Sequence, residues 1–352
     1  MAGSVETMPV DREAAVRAQD RPAKPLRVLA VIPGEAEGAS MIFCKRQAAS
    51  VESAGAVGRM FFLTSRTSPV VLLREWRRLR AEIREFAPDV VHAHFGSVTA
   101  FFCVLATRRP LVVSYRGSDL NPAPSMSQLR WQIGRFLSQL SALRARRIVC
   151  VSQEVKRRLW WRQGRATVIP TGVDIGVFYP RPRQEARAEL GWGPQEKVVL
   201  FNAGRTPEVK RLDLAQAAVE VAQGLCGAIR FVVLDGYVEP KLVPVMMNGA
   251  DCLVFTSDFE GSPNIVKEAI ACNLPVVSVE VGDVRERLAG VHPSRIVPRD
   301  PEQIGKALAE ILQLGQRSNG FEAAQALSLE CLAGRMLEVY RAALSRQQRR
   351  LS

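Results

Sequence analysis

The sequence predicts an α/β protein made of two doubly wound, parallel-sheet domains in series. Short apolar, β-branched runs alternate with longer amphipathic stretches almost from end to end, which is typical of repeated βαβ units. The chain has 352 residues, enough for two domains that each bury a core. The alternation also stops at a Pro- and Gly-rich segment near the middle and then starts again. These observations favour two lobes that face each other across a cleft.

The first half of the chain supplies six predicted strands. They are LRVLAVI (26–32), RMFFL (59–63), DVVHAH (89–94), LVVSY (111–115), RIVCV (147–151) and ATVIP (166–170). Amphipathic stretches between them predict helices, notably over 70–86 and 125–144. We assign 26–175 to an N-terminal domain. Residues 1–25 mix charges of both signs and lack an apolar core, so we expect a disordered tail and not a signal peptide.

The second half repeats the pattern after a predicted linker over 176–194. Its strands are KVVLF (197–201), IRFVVL (229–234), DCLVF (251–255), PVVSV (275–279) and RIV (295–297). They predict a C-terminal domain over 195–318. The last segment, 319–352, contains one long predicted helix over 321–345.

The net positive charge of the chain lies in its first half. The net charge is +13, and residues 1–180 carry 27 Lys and Arg against 14 Asp and Glu. Such a half could meet an anionic bilayer, an acidic partner or nucleic acid, or could simply carry solvated helix faces. Trp160 and Trp161 beside arginines favour the bilayer, and no nucleic-acid-binding module is recognisable. The longest apolar stretch, 98–107, is about half of what a membrane-spanning helix needs.

The seven cysteines predict neither disulfides nor a metal site. Their number is odd and no CxxC pair occurs. Most lie in apolar runs, where a free thiol behaves as a small hydrophobe, so we expect a reducing cytosol.

The stretch EGSPNIVKEA after the strand DCLVF predicts an anion site at a helix start. Ser262 suits the N-cap position and Pro263 the first helical position. The following backbone N–H groups, of Asn264, Ile265 and Val266, then lack partners, and no acidic residue in the first turn answers them. Phosphate is a common ligand at such a helix end.

Four charged side chains flank this helix start or the first loop of the second half. Glu260 and Glu268 can face one pocket and accept hydrogen bonds from sugar hydroxyls, or Glu260 can cap its loop while Glu268 is solvated. Arg205 and Lys210, in FNAGRTPEVKRLD, can neutralise a diphosphate, or can form an exposed basic loop.

Six motifs in this order resemble the retaining glycosyltransferases of family 4, over roughly residues 26–345. EGSPNIVKEA resembles the family's E-x7-E motif, and AGRTPEVKR resembles its GR…K segment. The other four landmarks are FCKRQAASVESAG (43–55), DVVHAHFG (89–96), RIVCVSQEVKRRL (147–159) and IPTGVD (169–174).

The resemblance implies a GT-B fold of two Rossmann-like domains. The C-terminal one would hold a nucleotide-diphosphate sugar, and the N-terminal one the acceptor. Glu260 would contact the transferred sugar, Glu268 the ribose hydroxyls, and Arg205 with Lys210 the diphosphate. Further donor contacts are expected from Gly204, Gly261, Ser262, Asn264, Ile265 and Val266. No metal and no other cofactor is expected, and the base, UDP or GDP, is not determined. The last helix of such folds crosses back to the first domain.

The sequence departs from the family in three places. YRGSD (115–119) has Arg116 where the family often has a sugar-binding His, so either Arg116 binds an anionic group on sugar or acceptor, or a different side chain does the work of that His. The N-terminal loop IPGEAEGAS (32–40) is less rich in glycine than usual. Expected acceptor or sugar contacts are Gly34, His94, Arg116 and Asp119. Finally, the C-terminal sheet has room for one βα unit fewer.

The function expected from these features is that of a retaining, metal-independent hexosyltransferase in polysaccharide assembly. It would transfer sugar to a glycan or lipid-linked acceptor, as a cytoplasmic protein peripheral to the inner face of the membrane. No nucleic-acid partner is expected. Two alternatives keep the fold: a sugar-nucleotide epimerase, and a non-catalytic binding subunit of a glycan-assembly complex.

Overall fold

A computed structural model describes residues 24–38, 40–65, 68–121, 127–204 and 206–348, with side chains described up to 345. The predicted tail, 1–25, therefore lies almost wholly outside the described residues. Within these residues eleven strands form two sheets, and all eleven predicted strands are confirmed with no end shifted by more than two residues. They are β1 Arg27–Pro33, β2 Val57–Leu63, β3 Val90–Ala93, β4 Leu111–Tyr115, β5 Arg147–Cys150, β6 Ala166–Val168, β7 Lys197–Asn202, β8 Ile229–Leu234, β9 Cys252–Phe255, β10 Val276–Ser278 and β11 Arg295–Ile296.

Both sheets are parallel throughout and doubly wound. The N-terminal sheet has the order β2-β1-β3-β4-β5-β6, and the C-terminal sheet has the order β11-β10-β9-β7-β8. In the doubly wound order a further strand would lie beside β8. Within the described residues β8 is an edge strand, which confirms the expected loss of one βα unit.

Helices cover both faces of each sheet. They are α1 Ile42–Ser53, α2 Pro69–Phe86, α3 Ser97–Ala106, α4 Gln128–Arg144, α5 Gln153–Arg157, α6 Arg183–Leu190, α7 Pro207–Lys210, α8 Leu212–Cys226, α9 Val243–Gly249, α10 Asn264–Ala271, α11 Val284–Leu288, α12 Pro301–Leu314, α13 Gly320–Gln325 and α14 Leu329–Gln348. Helix α2 begins where sequence rules predict, because Ser68 Oγ accepts the N–H of Val71 at 3.4 Å and Pro69 takes the first helical position.

The N-terminal sheet separates two cores. Helices α2, α3 and α4 pack on one face, through residues such as Leu79, Phe102 and Ala142. Helices α1 and α14 pack on the other face. In α14, Met336 and Tyr340 lie against strand residues of the first domain, so the last helix returns to the N-terminal lobe.

The single long helix expected over 321–345 is wrong. The structure has two helices, α13 and α14, separated at 326–328. Val173 causes the break: its N–H donates to the carbonyl of Leu327 at 2.9 Å, and its carbonyl accepts the N–H of Leu329 at 3.1 Å. A helix cannot continue where its backbone groups serve another segment. The predicted linker, 176–194, contains α6, where the buried Arg187 pairs with Asp251 at 2.8 Å.

Two further sequence observations have structural counterparts. All seven cysteine thiols are free, as expected. In the part of the chain that the structure describes, no helix combines the length and the apolar character that crossing a membrane would require.

Candidate active site

A cleft of about 280 Å³ lies between the two lobes, beyond the carboxyl ends of both sheets. This is where open parallel sheets bind ligands. The N-terminal lobe contributes Phe43, Arg116 and Thr171 to its lining, and the C-terminal lobe contributes Asn202, Lys210, Glu260, Gly261, Ser262, Pro263, Asn264, Ile265 and Glu268. The sheet topology therefore brings together most of the residues that the sequence analysis selected.

The two lobes touch directly at the edge of this cleft. Asn121 Nδ2 donates to the carbonyl oxygen of Glu260 at 3.0 Å. A Cβ atom on Gly261 would lie 2.3 Å from the carbonyl oxygen of Arg116, so only glycine permits this approach. Gly261 was expected to contact the donor, and in the structure it also sets the spacing of the lobes.

Lys210 and Glu260 form an ion pair inside the cleft, between Lys210 Nζ and Glu260 Oε1. Lys210 is the last residue of α7, and the Thr256 hydroxyl fixes it by donating to its carbonyl at 2.9 Å. Gly204, with φ of 54°, turns the chain between β7 and α7. Arg205 lies outside the described residues, so its contacts stay a prediction.

The amino end of α10 opens onto the cleft. The helix begins at Asn264, no side chain caps it, and no acidic residue occurs in its first turn. The backbone N–H groups of Asn264, Ile265 and Val266 therefore have no helical acceptor. Asn264 Oδ1 is buried and has no partner among the described residues. This end can accept an anionic group, although the side chain of Val266 itself is fully buried in the core.

The expected N-cap role of Ser262 is wrong. Pro263 occupies the N-cap position, and Ser262 lies one residue earlier. Its hydroxyl donates to Asp283 Oδ2 at 2.8 Å and accepts a hydrogen bond from Lys267 Nζ at 3.1 Å. Two charged partners compete successfully with a neutral backbone N–H, because hydrogen bonds to charged groups are stronger.

Glu268 is the fifth residue of α10 and lines the same cleft as Glu260. Burial raises the pKa of its carboxyl group, and the charges of Arg46 and Lys267 oppose that shift. A carboxylate held in a partly dry cleft binds hydroxyl groups more strongly than one in water.

Lys267 is a site residue that the sequence analysis missed. Its side chain is fully buried, and its Nζ donates to the carbonyl of Thr171 at 2.8 Å as well as to Ser262. Burial lowers its pKa to about 8, against the pull of the Asp283 carboxylate. In the sequence, a lysine at this helix position is most simply interpreted as solvent-exposed. The one signal for a buried partner was the IPTGVD motif, which contains Thr171.

Arg116 joins three elements of the N-terminal lobe at the wall of the cleft. Its Nη2 donates to Gln47 Oε1 at 2.6 Å and contacts His94 Nδ1 at 3.1 Å, and its Nη1 donates to Thr171 Oγ1 at 3.2 Å. Its guanidinium also lies 5.5 Å from the centre of the Phe43 ring. No carboxylate pairs with it among the described residues, and its buried Nε has no partner there. Phe43 and Gln47 lie in the landmark FCKRQAASVESAG, but the sequence analysis assigned neither of them a role.

Three residues expected to contact acceptor or sugar do not line the cleft. Asp119 is buried, and its carboxylate accepts the N–H groups of Gly96 and Gly117, both at 2.9 Å, and of Arg116. His94 is buried behind Arg116, and burial lowers its pKa well below the usual value, which keeps it neutral. Gly34 follows β1 and has φ of 108°. Asp119 therefore holds the loop that carries Arg116, and His94 contacts the Arg116 guanidinium itself.

Comparison with known proteins gives matches over both lobes. Residues 37–177 match the family described as Glycosyltransferase Family 4, and residues 187–314 match Glycosyl transferases group 1. The 2-deoxystreptamine N-acetyl-D-glucosaminyltransferase of Streptomyces fradiae is 34% identical in an alignment 307 positions long that covers 75% of this chain and 73% of that protein.

Other curated relatives match over less of their length. A Bacillus subtilis glycosyltransferase named for teichuronic acid biosynthesis is 26% identical, over 64% of this chain and 61% of its own. D-inositol 3-phosphate glycosyltransferase of Segniliparus rotundus is 28% identical, over 50% and 47%. The chain thus spans about half to three fifths of these relatives.

Solved structures show the same fold at low sequence identity. Sucrose-phosphate synthase from Thermosynechococcus elongatus superposes with a TM-score of 0.73 at 19% identity, over 90% of this chain and 98% of that one. Anabaena HepE in complex with UDP gives 0.67 at 17% identity, over 89% and 99%. The architecture is therefore the GT-B fold.

Proposed function

Because the chain belongs to glycosyltransferase family 4, we propose that it moves a hexose from a nucleotide-diphosphate sugar to a hydroxyl of an acceptor, with retention of anomeric configuration. One observation carries this proposal. Lys210, Glu260, Glu268 and the uncapped start of α10 all face one interlobe cleft.

The cleft has matching groups for each part of such a donor. The diphosphate would lie at the amino end of α10, where backbone N–H groups and Lys210 supply positive charge. Arg205 would add a second cation. Glu268 would accept hydrogen bonds from the ribose hydroxyls, and Glu260 would contact the transferred sugar. Anabaena HepE has been solved with UDP, which supports a nucleotide-sugar donor but leaves UDP or GDP open here.

We propose transfer by front-face attack. The acceptor oxygen would bond to the anomeric carbon while the bond from that carbon to the phosphate oxygen breaks. The acceptor proton would pass to the departing phosphate oxygen. Preorganised positive charge at the diphosphate would lower the barrier, so the reaction needs neither a side-chain nucleophile nor a metal. Lys210 and Arg205 are the cations proposed for this role.

The acceptor is proposed to be a glycan or lipid-linked glycan in polysaccharide assembly, bound by the N-terminal lobe. The excess of basic residues in 1–180 supports a position at the inner face of the membrane, on the cytoplasmic side, because anionic headgroups attract such a surface. A role with nucleic acid is not proposed.

A small polyol is a second candidate acceptor. The names of two relatives favour it, since one acts on 2-deoxystreptamine and another on D-inositol 3-phosphate. Both acceptors are hydroxylated rings that could enter the same cleft.

Sugar transfer from UDP- and GDP-hexoses to polyprenyl-linked glycans and to cyclitols tests these proposals. We expect one donor class to be used and the product to keep the donor's anomeric configuration, read by NMR. Lys210→Ala and Glu260→Gln should lower kcat by about 10²- to 10³-fold. Lys241→Ala, which removes an exposed lysine paired with Glu239, is the control and should be near wild type.

Three results would contradict the proposal. Inversion at the anomeric carbon would exclude the retaining mechanism. Conversion of the donor without any acceptor would indicate an epimerase. A protein that binds no nucleotide sugar would indicate a non-catalytic binding subunit.

A further inference from the structure

Helix α4 exposes an apolar stripe to solvent. Leu129, Ile133, Phe136 and Leu143 are 69%, 52%, 51% and 41% exposed. Their spacing of four, three and seven residues puts them on one side of the helix. An amphipathic helix usually packs such a stripe against the core. On α4 the stripe is exposed instead, and no described residues cover it.

An open apolar groove continues this stripe across α2 and α3. The groove has a volume of about 480 Å³. Its lining consists of Leu72, Leu73, Trp76, Val98, Phe101, Phe102, Leu105 and Leu137. Leu73 and Leu105 are 52% and 60% exposed. Contiguous exposed patches of this kind mark surfaces that bind other molecules. We call the stripe and the groove together the apolar surface.

A pocket of about 560 Å³ adjoins the apolar surface and is lined mainly by arginines. These are Arg108, Arg144, Arg146, Arg162 and Arg165, together with Ala145 and with Leu143, which also belongs to the stripe. No carboxylate lines the described walls of this arginine pocket. Burial lowers the pKa of Arg162, and the nearby positive charge of Arg165 adds to that shift.

The sequence around the arginine pocket is also rich in positive charge. Between Asp89 and Glu154 the sequence has eight arginines and one acidic residue, Asp119. The Asp119 side chain is buried and bound to backbone N–H groups, so it does not reach this surface. The outer face of α3 and α4 therefore presents apolar and cationic groups with no exposed carboxylate of its own.

We propose that this face docks the protein on an anionic lipid bilayer. The arginine pocket takes the phosphate groups of lipid headgroups, and the apolar surface enters the region of the acyl chains. The inference rests on the membrane association proposed above and adds where the contact lies. A bilayer fits better than nucleic acid, because nucleic acid would engage the arginines and leave the leucine and phenylalanine side chains in water.

The outer face of α3 and α4 extends to the cleft at the amino ends of these two helices. Helix α3 starts at Ser97, beside the loop whose Gly96 N–H binds Asp119. On α4, Trp131 Nε1 donates to the carbonyl of Asn121, whose side chain donates to Glu260 of the other lobe. A bilayer along the outer face of α4 would therefore reach the cleft at the amino end of that helix, while the arginine pocket would hold headgroups at its other end, next to the starts of β4, β5 and β6.

Cosedimentation with vesicles tests the proposal. The vesicles are phosphatidylcholine alone, or phosphatidylcholine and phosphatidylglycerol in equal amounts. Three variants of the full chain are compared with wild type: Leu129→Ser/Ile133→Ser/Phe136→Ser, Arg144→Gln/Arg165→Gln, and the control Leu225→Ser/Leu314→Ser, which removes apolar side chains that are 51% and 47% exposed on the other lobe.

We expect wild type to bind the anionic vesicles and to lose binding at high salt. The two-arginine variant should lose about fivefold in affinity per arginine, and the three-residue variant at least tenfold. The control should bind like wild type. Equal binding to neutral vesicles, or unchanged binding by both surface variants, would overturn the proposal. Binding of duplex DNA that the arginine variant alone loses would indicate nucleic acid instead.

A second measurement separates this proposal from the proposed activity. Nucleotide-sugar binding by thermal shift, without lipid, should be unchanged in both surface variants. If the surface variants lose vesicle binding while no nucleotide sugar binds wild type, the docking surface stands and the transferase proposal fails.

Discussion

Lys267 Nζ, in the C-terminal lobe, donates a hydrogen bond of 2.8 Å to the carbonyl oxygen of Thr171 in the N-terminal lobe. The lysine side chain is fully buried, and its helix opens onto the cleft with its amino end. The same ammonium group binds the hydroxyl of Ser262, next to the uncapped start of α10 that is proposed to bind the diphosphate. One side chain thus couples the position of the two lobes to the position of the candidate diphosphate site.

Replacing Lys267 by Met should weaken donor binding. The substitution keeps an unbranched side chain of similar length but removes the hydrogen bonds to the Thr171 carbonyl and to the hydroxyl and carbonyl of Ser262, so Ser262 and the start of α10 lose their support from the other lobe. We expect the Kd of the donor nucleotide to rise about tenfold, measured by calorimetry. Lys306→Met, which removes an exposed lysine paired with Glu302, is the matched control. An unchanged Kd in the Lys267 variant would show that the lobes are coupled elsewhere.

The free energy of unfolding should depend on pH through Lys267. Its pKa is about 8 in the folded chain against an ordinary value of 10.5. Between these values the unfolded chain holds the proton and the folded chain has released it, so stability rises with pH in this window. The free energy of unfolding of wild type, measured with urea, should therefore rise by about 2–3 kcal/mol relative to that of Lys267→Met between pH 8 and 10.5. Parallel pH profiles for the two proteins would contradict this.

Glu268→Gln should separate stability from function. Burial raises the pKa of this carboxyl group, so the folded chain pays a desolvation cost once Glu268 is ionised. Above the folded pKa the variant should unfold at a higher temperature than wild type, and below pH 4.5 the difference should vanish, because both states are then protonated. Donor affinity should fall about 10- to 100-fold, since an amide accepts ribose hydroxyls less strongly than a carboxylate. Thermal unfolding with and without nucleotide measures both effects. Wild-type donor affinity in the variant would show that Glu268 does not contact the donor.

Much of this architecture is readable from sequence for a physical reason. Central strands such as β1, β3 and β4 are buried on both faces and appear as continuous apolar runs. The partly exposed edge strands β2, β6, β8 and β11 could be found because they continue the same alternation with helices, and parallel topology forces the loops after all of them to one edge. Glu260, Lys210 and Glu268 met in the cleft for that reason. The burial of Lys267 and the break at 326–328 depend on partners distant in the chain, Thr171 and Val173, which no local pattern reports.

Arg116→His should shift substrate preference. The guanidinium has no carboxylate partner among the described residues, and its neighbours Gln47 and Thr171 are neutral. Its charge is therefore available to an anionic group of the substrate. We expect the ratio of kcat/KM for a uronic acid donor to that for the neutral hexose donor to fall at least tenfold in the variant. An equal loss of kcat/KM with both donors would mean that Arg116 positions the cleft wall through His94 and does not select the donor by its charge.

Gly261→Ala should disturb the contact between the lobes. The added Cβ would lie 2.3 Å from the Arg116 carbonyl oxygen and 3.0 Å from Val151 Cγ2, so the backbones must move apart. We expect a loss of about 1–3 kcal/mol in the free energy of unfolding and a higher KM for the donor, because Glu260 is the preceding residue. Gly224→Ala is the matched control: its Cβ would meet nothing within 4 Å, and alanine should stabilise helix α8 by up to about 1 kcal/mol. Wild-type KM and stability in the Gly261 variant would show that the lobes meet less closely in solution than this contact requires.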